Sequence, residues 1–465
     1  MEDVINNVSK NEDITFNNEL INEVILFSEN RNQEKLNKLI KDLHPADLAD
    51  LLTFLNSEQR SFTLSILDEE KYTNVLTELD DTIIDETIQR LEDKKVIKSI
   101  SEMETDDAVN LIESLEPEAQ KKILDQVTLA EREVFEESLN YPEDSAGRRM
   151  QKEFVSMPAF WSVGQTIDYL REESNLPDDF FEIFIVDPLN KPLGSVSVSK
   201  VLRSARVTQL NDILDDSPKF IKASMDQEEA ALLFEKYSLV SAGVIDDQGR
   251  LIGRITADDI VWVLQEEAEE DILRLGGVSE TEMNQSIARS TQKRFIWLFL
   301  NLLTAILASV VISLFGASIE KMVALAVLMP IVASMGGNAG TQTLTLTVRS
   351  LATKELVDRN RKKIFFKEIS ISILNGLIFA ILTSLATILW FNDISLALIV
   401  GAAMIINIIS AGLFGFLIPY LLNYFKIDPA LASSVFVTTI TDVFGFLSFL
   451  GLASIFFLIN FYIIN

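Results

Sequence analysis

The sequence predicts a multidomain membrane protein that combines an all-α N-terminal superhelical domain, an α/β region, a connecting helix and a five-helix transmembrane domain. Three observations indicate this fold class. A 12-residue repeat runs through residues 43–127, a strand–turn–strand–helix pattern occurs twice between residues 150 and 260, and five long apolar segments follow Arg294. The length of 465 residues agrees, because it fits about three domains of roughly 150 residues each.

The repeat predicts a superhelix of short helices over residues 33–139. Apolar residues open its successive units: Leu43, Leu55, Leu67, Leu79, Leu91, Met103, Leu115 and Val127. The second place of every unit is polar, as expected where a helix begins. One short helix cannot bury its apolar face alone, so the stacked units are expected to share one core. This region is therefore a scaffold.

The α/β region contains the same pattern twice, in residues 180–202 and 239–261. Each copy has an apolar strand, a turn with Asp or Asn, a second strand and the start of a helix. Thr256 and Asp259 in the second copy have a Thr-x-x-Asp spacing, whereas the first copy has Ser199 and no such acid. The copies therefore predict two related subdomains.

Helical spacing of apolar residues predicts a connecting helix over residues 258–275, ended by Gly276 and Gly277. Its acidic residues are crowded: Asp258, Asp259, Glu266, Glu267, Glu269, Glu270 and Asp271. Like charges at this spacing destabilise a helix unless cations lie among them. The helix directly precedes the membrane segments, where a gate would lie.

The five apolar segments are long enough to cross a hydrocarbon core about 30 Å thick. They cover residues 295–316, 321–347, 367–391, 395–424 and 432–461. The loop after the second segment is rich in basic residues: Arg349, Lys354, Arg359, Arg361, Lys362, Lys363 and Lys367. Basic loops are cytosolic. Five crossings then leave the N-terminal half in the cytosol and the C-terminus outside.

Charge separates the two halves of the chain. Residues 1–294 hold 62 of the 69 acidic residues and 31 of the 40 basic residues. This strong negative charge disfavours binding to nucleic acid, because such binding depends on lysine and arginine. It also attracts multivalent cations. A solvated acidic surface kept for solubility explains the composition equally well, so composition alone leaves both interpretations open.

Other residue types exclude several kinds of site. The chain has no cysteine, which excludes disulfides, thiolate metal sites and cysteine nucleophiles. The one histidine, His44, precedes Pro45 and has no second histidine beside it, so we expect a structural role. Residues 1–32 are polar and are expected to form a flexible arm, without the pattern of a signal or transit peptide.

Polar residues within the membrane segments concentrate in two places, residues 330–342 and 438–442. Pro330 and the following glycines are expected to break the second segment, as is tolerated beside a wet cavity. Asn338, Thr341 and Gln342 supply neutral oxygens there, and Asp442 supplies a carboxylate in the last segment.

An acid at bilayer depth costs about 2.5–3.5 kcal/mol or more, so Asp442 is predicted to line an ion path. No lysine or arginine lies in the interior of any segment to neutralise it. Oxygen ligands without imidazole or thiolate suit a hard cation such as Mg²⁺, Ca²⁺ or Mn²⁺. The chemistry of the residues does not choose among these ions.

These residues together resemble the MgtE family of magnesium channels, over essentially everything after residue 30. The resemblance is carried by YPEDSAGRRM (141–150), PIVASMGGNAGTQT (330–343), DPALASS (428–434) and TTITDVFG (438–445). The doubled α/β pattern likewise resembles paired cystathionine-β-synthase-type (CBS) domains. The domains so implied are an arm (1–32), an N-terminal helical domain (33–145), two CBS domains (146–205 and 206–262), a plug helix with its linker (258–292) and a transmembrane domain (293–465).

The resemblance also implies a homodimer with a pore on its axis. It places Asp442 in the pore and Asp428 at the cytosolic side of the pore. It implies that cytosolic Mg²⁺ bridges acidic surfaces and closes the pore. The residues carried over as Mg²⁺ ligands are Asp106, Asp226, Glu228, Asp259, Glu267, Glu270 and Asp271. Acids of the family are replaced at Asn110, Ser238 and either Val261 or Trp262.

The predicted function is therefore Mg²⁺ uptake through the cell membrane, regulated by cytosolic Mg²⁺, and no enzymatic activity is expected. A divalent-cation transporter of broader selectivity (Ca²⁺, Mn²⁺ or Co²⁺) remains an alternative. A membrane-anchored sensor that binds ATP at Thr256 and Asp259 and conducts nothing is a second alternative. An enzyme is disfavoured because a cysteine nucleophile, a glycine-rich dinucleotide loop and a catalytic histidine are missing. A chloride channel would carry its CBS pair after the membrane part.

Overall fold

The computed structural model describes residues 18–177, 179–215, 218–278, 287–356 and 359–464. The chain divides into two compact units, with the boundary between Gln265 and Glu266. The first unit holds the helical scaffold and the α/β region, and the second holds the membrane helices. The prediction of a multidomain fold with these parts is confirmed.

Ten short helices open the described chain. They are α1 (Asn18–Glu29), α2 (Gln33–Ile40), α3 (Pro45–Thr53), α4 (Ser57–Ser65), α5 (Glu69–Thr77), α6 (Asp81–Ile88), α7 (Asp93–Glu102), α8 (Thr105–Glu113), α9 (Pro117–Leu124) and α10 (Leu129–Leu139). One continuous apolar core runs from Val24 to Phe135. The polar second places of the repeat lie at helix N-termini, for example Asn56 and Thr128, each of which forms a capping box.

The prediction of a flexible arm over residues 1–32 is corrected for its described part. Helix α1 buries Val24 in the core and packs Leu20 and Phe27 against it. These apolar side chains at helical spacing explain why residues 18–29 join the scaffold. Residues 1–17 of the predicted arm lie outside the described residues. His44 has the expected structural role, since its Nδ1 accepts a hydrogen bond from the backbone N of Ala46 at 3.3 Å and caps α3.

The α/β region contains two three-stranded sheets of the same topology. Their elements are β1 (Ser156–Pro158), α11 (Val163–Glu172), β2 (Glu182–Val186), β3 (Pro192–Ser197), α12 (Val198–Arg203), a short 3₁₀ turn (Leu210–Ile213), β4 (Phe220–Lys222), α13 (Gln227–Tyr237), β5 (Ser241–Ile245) and β6 (Leu251–Thr256). The middle strand of each sheet pairs in parallel with the first strand and antiparallel with the third. The doubled pattern seen in the sequence is thus a structural repeat.

Strand register aligns the two copies residue by residue. Ser197 pairs with the first residue of β2, as Thr256 pairs with the first residue of β5. Three residues further along, Lys200 of the first copy therefore stands where Asp259 stands in the second. The two copies differ in charge at the position where the Thr-x-x-Asp motif has its acid.

Helix α14 (Ala257–Leu275) follows β6 directly and is the predicted connecting helix. It ends as expected at the two glycines, where the backbone N of Val278 donates to the carbonyl of Leu273 at 3.0 Å. Gly277 has a φ of +70°, a left-handed conformation that favours glycine. Residues 279–286 of the predicted linker lie outside the described residues.

The second unit contains five helices long and apolar enough to cross a membrane. They belong to α15 (Ile287–Ser313), α17 (Ala324–Ala352), α18 (Arg361–Phe391), α19 (Ile394–Tyr424) and α20 (Pro429–Ile464), with the short helix α16 (Gly316–Lys321) after the first. The prediction of five long apolar helices is confirmed for the described residues. Helix α19 is the central one and packs against α17, α18 and α20.

The expected break in the second apolar segment is wrong. Helix α17 runs from Ala324 to Ala352 with Pro330 inside it. Its glycines serve close packing: a Cβ at Gly340 would lie 2.6 Å from Val437, and one at Gly415 of α19 would lie 2.8 Å from the carbonyl of Gly340. Neighbouring helices thus hold the proline-containing helix together, as occurs in membrane proteins.

Candidate ion pathway and carboxylate sites

Three carboxylates of the first unit converge at the start of α8. One ligand oxygen from each of Glu104, Asp106 and Asp107 lies within 4.8 Å of the others. Glu104 is the residue before the helix, and the two aspartates lie in its first turn. A helix N-terminus favours negative charge, which explains in part why the fold tolerates this density of acids.

A fourth carboxylate, that of Asp259 on α14, joins this cluster. Gln151 Nε2 donates to Asp106 Oδ2 at 3.1 Å and to Asp259 Oδ2 at 3.4 Å. Thr256 donates to the same Asp259 oxygen with its hydroxyl at 2.6 Å and its backbone N at 3.2 Å. We call Glu104, Asp106, Asp107 and Asp259 the cytosolic cluster.

A buried arginine fixes the amide of Gln151. The Nε of Arg254 donates to Gln151 Oε1 at 2.8 Å, which leaves the amide nitrogen of Gln151 for the two aspartates. Arg254 also lies 3.6 Å from a carboxylate oxygen of Glu104 and is only 3% exposed. Arg254 therefore brings a buried positive charge to the edge of the cytosolic cluster, beside Glu104.

Burial and mutual repulsion raise the pKa values of the cluster. Burial raises the pKa of Asp106 well above its usual range, and the charges of Asp259 and Asp107 raise it further. Burial and the charge of Asp259 raise the pKa of Asp107 to about 7. Burial is also the main cause of the raised pKa of Asp259. Within the described residues, Asp106 Oδ1 is buried without a hydrogen-bond partner. A divalent cation with oxygen-only coordination would satisfy this oxygen and neutralise the charge.

Sequence reasoning identified two members of the cytosolic cluster and missed the other two. Asp106 and Asp259, predicted through the family resemblance, are brought together by Gln151. Glu104 and Asp107 were not singled out. The sequence did show several acids around the helix start at Thr105. Acids are common at helix N-termini, however, so their presence there did not by itself indicate a metal site.

The other predicted ligands of the first unit have structural partners. Asp226 caps α13, where its side chain accepts from the backbone N of Glu228 at 2.9 Å. Glu228, the next predicted ligand, lies in the first turn of that helix. The replaced position Ser238 is the left-handed C-cap residue of the same helix. Val261 and Trp262 are both exposed on α14.

Asn110, the other replaced position, belongs to an arginine bridge. Arg149 donates from Nη1 to Asn110 Oδ1 at 2.8 Å and from Nε to Gln227 Oε1 at 2.9 Å. A fixed positive charge thus connects α8 with the start of α13. The bridge needs no bound ion to hold these two elements.

A second group of charges lies in the second unit, at the end of α14. Arg274 forms ion pairs with Glu270 of its own helix and with Asp428, the residue before α20. Burial raises the pKa of Asp271, and the nearby charge of Asp428 raises it further. Leu275 packs nearby against a cluster that includes Leu344 of α17. Predicted residues Glu270, Asp271 and Asp428 therefore meet, around an arginine that sequence reasoning did not single out. Glu267, also predicted, has at least one interaction partner as well.

The two predicted polar stretches of the membrane helices are in contact. A Cβ at Gly337 of α17 would lie 3.6 Å from the methyl group of Thr438 on α20, and one at Gly340 would lie 3.4 Å from that of Thr441. Asp442 follows directly and is partly buried. Asn338, Thr341, Gln342 and Thr438 are exposed in the single chain. A polar face thus interrupts an otherwise apolar membrane surface.

Comparison with known proteins agrees with this arrangement. A family of divalent cation transporters, MgtE, matches residues 329–452, its intracellular N domain matches residues 43–144, and a CBS domain matches residues 210–266. The magnesium transporter MgtE of Thermus thermophilus is 32% identical over 336 residues, which cover 72% of this chain and 74% of that protein. The chain belongs to the MgtE family.

Other relatives extend the comparison. The magnesium transporter MgtE of Enterococcus faecalis is 30% identical over 69% of this chain and 71% of its own. A crystal structure of the cytosolic domain of the Mg²⁺ channel MgtE with ATP covers 51% of this chain and 99% of its own, at 25% identity and a TM-score of 0.48. The part of this chain that matches the MgtE family model, residues 329–452, contains both polar stretches and Asp442.

Proposed function

We propose that this protein carries Mg²⁺ across the membrane into the cytosol, along a path lined by α17 and α20. The observation that supports this most is the contact between the two polar stretches beside Asp442. An acid inside a membrane helix is costly and marks an ion path. Hydroxyl, amide and carboxylate oxygens are the groups that bind Mg²⁺ or the waters it retains. The names of the relatives favour Mg²⁺ among the hard cations.

The path is completed by a second copy of the chain. Asn338, Thr341, Gln342 and Thr438 are exposed in the single chain, at positions that would otherwise face hydrocarbon. Polar groups in hydrocarbon need partners. A homodimer that closes these faces around water supplies them, and it places Asp442 of both copies on one path.

The end of α14 acts as the gate. Asp428 stands at the start of α20, and Arg274, Glu270 and Asp271 gather around it. In the closed state the arginine and bound Mg²⁺ hold these carboxylates together. When the helix end moves away, the cytosolic entrance of the path opens.

The cytosolic cluster is the sensor that acts on this gate. At low cytosolic Mg²⁺ the four carboxylates repel one another, and bound Mg²⁺ joins α8 to α14. Helix α14 is continuous from Asp259 to Arg274, so movement at its start is carried to its end. A shift from 1:99 to 99:1 needs about 5.5 kcal/mol of differential binding, which several weak Mg²⁺ sites supply together.

ATP binding stays a prediction for the second α/β copy. Asp259 would hold the ribose of a nucleotide, yet its carboxylate also accepts from Thr256 and lies against Asp106. Nucleotide and the Mg²⁺-bound cluster would therefore compete for one side chain. In the first copy the corresponding position is Lys200, which donates to Asp215 Oδ1 at 3.0 Å.

Flux measurements with the full-length protein in liposomes test the proposal. Asp442→Asn is expected to lower Mg²⁺ flux by at least tenfold, because the neutral amide cannot hold the cation as tightly. The matched control is Glu320→Gln, an exposed carboxylate on α16, which should conduct normally. Competition by Ca²⁺, Mn²⁺ and Co²⁺ in the same assay separates a magnesium path from a broader one. Wild-type flux in Asp442→Asn would refute the path.

A further inference from the structure

A buried amide lies at the junction of three membrane helices. Asn407 is near the middle of α19 and is 0% exposed. Its Nδ2 donates to the backbone carbonyl of Val332 on α17 at 2.7 Å. Its Oδ1 is buried and has no hydrogen-bond partner among the described residues. Only half of the side chain is therefore satisfied.

Two glycines form the slot that holds this amide. A Cβ at Gly336 of α17 would lie 2.2 Å from Asn407 Nδ2, and one at Gly445 of α20 would lie 2.8 Å from the same atom. No other residue type fits at either position while the amide is in place. The side chain of Asn407 thus sets the spacing between α17 and α20.

Stability of the fold does not explain an asparagine at this position. An unsatisfied buried acceptor costs free energy, more so where no water is near. Replacing hydrogen-bonding groups by apolar groups of the same shape can be nearly neutral or stabilising, and Val332 lies within a continuous helix that supplies its own hydrogen bonds. A residue that costs stability at such a place is expected to serve function.

The slot lies close to both polar stretches along their helices, since Gly336 belongs to the first stretch and Gly445 follows the second. Gly445 is one helical turn from Asp442, and Gly336 is two residues from Asn338. Any change in the spacing at the slot therefore moves the helix surfaces that carry these two side chains. The free Oδ1 gains a hydrogen bond only when water reaches the junction.

We propose that Asn407 is a positioning residue of the ion path. Its amide nitrogen holds α17 to α19, its bulk sets the distance from α17 to α20, and its free oxygen accepts a hydrogen bond from water as the path fills. The amide therefore favours the hydrated, conducting arrangement. This inference rests on the proposed path beside Asp442.

The first test is Asn407→Leu in the full-length protein. We expect Mg²⁺ flux in liposomes to fall at least tenfold, with the melting temperature in detergent unchanged or higher. The ratio of Mg²⁺ to Ca²⁺ flux should also change, because the spacing of Asn338 and Asp442 decides which hydrated ion fits. A variant that conducts within twofold of the wild type, with the same ion ratio, would overturn the proposal.

A second pair of variants separates spacing from chemistry. Gly336→Ala alone should lose both stability and flux, because its methyl group collides with Asn407. Gly336→Ala with Asn407→Ala restores room for that methyl group, so the melting temperature should recover while flux stays low. Recovery of both would mean that Asn407 only fills space, and the proposal would be abandoned. These variants also decide the question if Asn407→Leu does not fold.

Measuring Asp442→Asn in parallel distinguishes the proposed ion path from the proposed role of Asn407. If it abolishes flux while Asn407→Leu conducts normally, the path stands and the role of Asn407 is refuted. If Asp442→Asn conducts normally, the path itself is misplaced. In that case a flux loss in Asn407→Leu alone would contradict the positioning role of Asn407, because no path would lie beside the slot.

Discussion

Arg274, near the end of the connecting helix α14, forms an ion pair with Asp428, which directly precedes the last membrane helix. The same guanidinium pairs with Glu270 one turn earlier, while Asp271 lies near Asp428. A fixed cation is thus built into a group of three carboxylates. In the proposed gate, this cation would hold part of the closed arrangement without any bound metal, and Mg²⁺ would have only the remaining negative charge to neutralise.

Removal of this fixed charge should loosen the gate. Arg274→Gln leaves three carboxylates to repel one another, so we expect two- to fivefold higher flux at cytosolic Mg²⁺ concentrations that largely close the wild type. The magnitude follows from about 0.5–1 kcal/mol for partly exposed ion pairs. Arg274→Lys keeps the charge and is the control. The measurement is flux into liposomes at stepped internal Mg²⁺, and equal curves for Gln and Lys would count against the role.

The stability of the metal-free protein should fall as pH rises from about 4 to about 7. Burial raises the pKa of Asp107 to about 7, so the folded state holds a proton that the unfolded state, with a pKa near 3.8, has lost. The stabilisation is complete below the unfolded pKa and disappears as pH passes the folded pKa. The full shift corresponds to about 4 kcal/mol. Because the side chain of Asp107 is only partly buried, we expect a smaller loss, on the order of 2 kcal/mol, over this range.

Thermal unfolding of the full-length protein in detergent, with all divalent ions chelated, measures this dependence. Asp107→Asn should make the profile less steep, because its amide carries no proton to lose, while the raised pKa values of Asp106 and Asp259 still contribute to the fall. Asp50→Asn, at an exposed position on α3, should leave the profile as it is. A wild-type profile that rises between pH 4 and 7 would contradict the assigned role of Asp107.

Asp106→Asn should uncouple the cytosolic cluster from Mg²⁺. The amide removes the carboxyl group whose charged form burial and Asp259 disfavour, so the metal-free protein is expected to become more stable. It also removes a ligand, so the rise in melting temperature on adding millimolar Mg²⁺ should shrink. Flux should then persist at cytosolic Mg²⁺ concentrations that close the wild type. A Mg²⁺ response identical to that of the wild type would exclude Asp106 as a ligand.

Local sequence patterns predicted the helices and strands well, because each element has its own hydrophobic periodicity and capping residues. The 12-residue repeat predicted the scaffold, and the polar second places became helix starts such as Asn56. The predicted helix break at Pro330 was wrong, because the helix is held together there by contacts with neighbouring helices, which the local sequence does not show. Asp226 was predicted as a Mg²⁺ ligand through the family resemblance, and that role stays a prediction. The structure shows it as a helix cap, and sequence alone does not separate a cap from a ligand at a helix start.

The candidate sites were harder to predict, because they are formed by contacts between residues far apart in the sequence. Asp442 was conspicuous because it is an acid in an apolar segment. The meeting of Asp106 with Asp259 came only through family resemblance, as these residues are far apart in the chain. Asn407 was not singled out, because one asparagine in an apolar segment is far less conspicuous than an acid. Its importance comes from the two glycines around it, which belong to two other helices.

The glycine contacts that bring the polar stretches together should tolerate no added methyl group. Gly340→Ala places a Cβ 2.6 Å from Val437, so either α17 or α20 must shift. Overpacking of this kind costs about 1–3 kcal/mol, more than alanine gains over glycine in helix propensity. Gly451→Ala on α20 is the matched control, because nothing lies within 4 Å of its added Cβ. Melting temperature and Mg²⁺ flux should both drop for Gly340→Ala and hold for Gly451→Ala; equal behaviour would mean that the contact does not set the path.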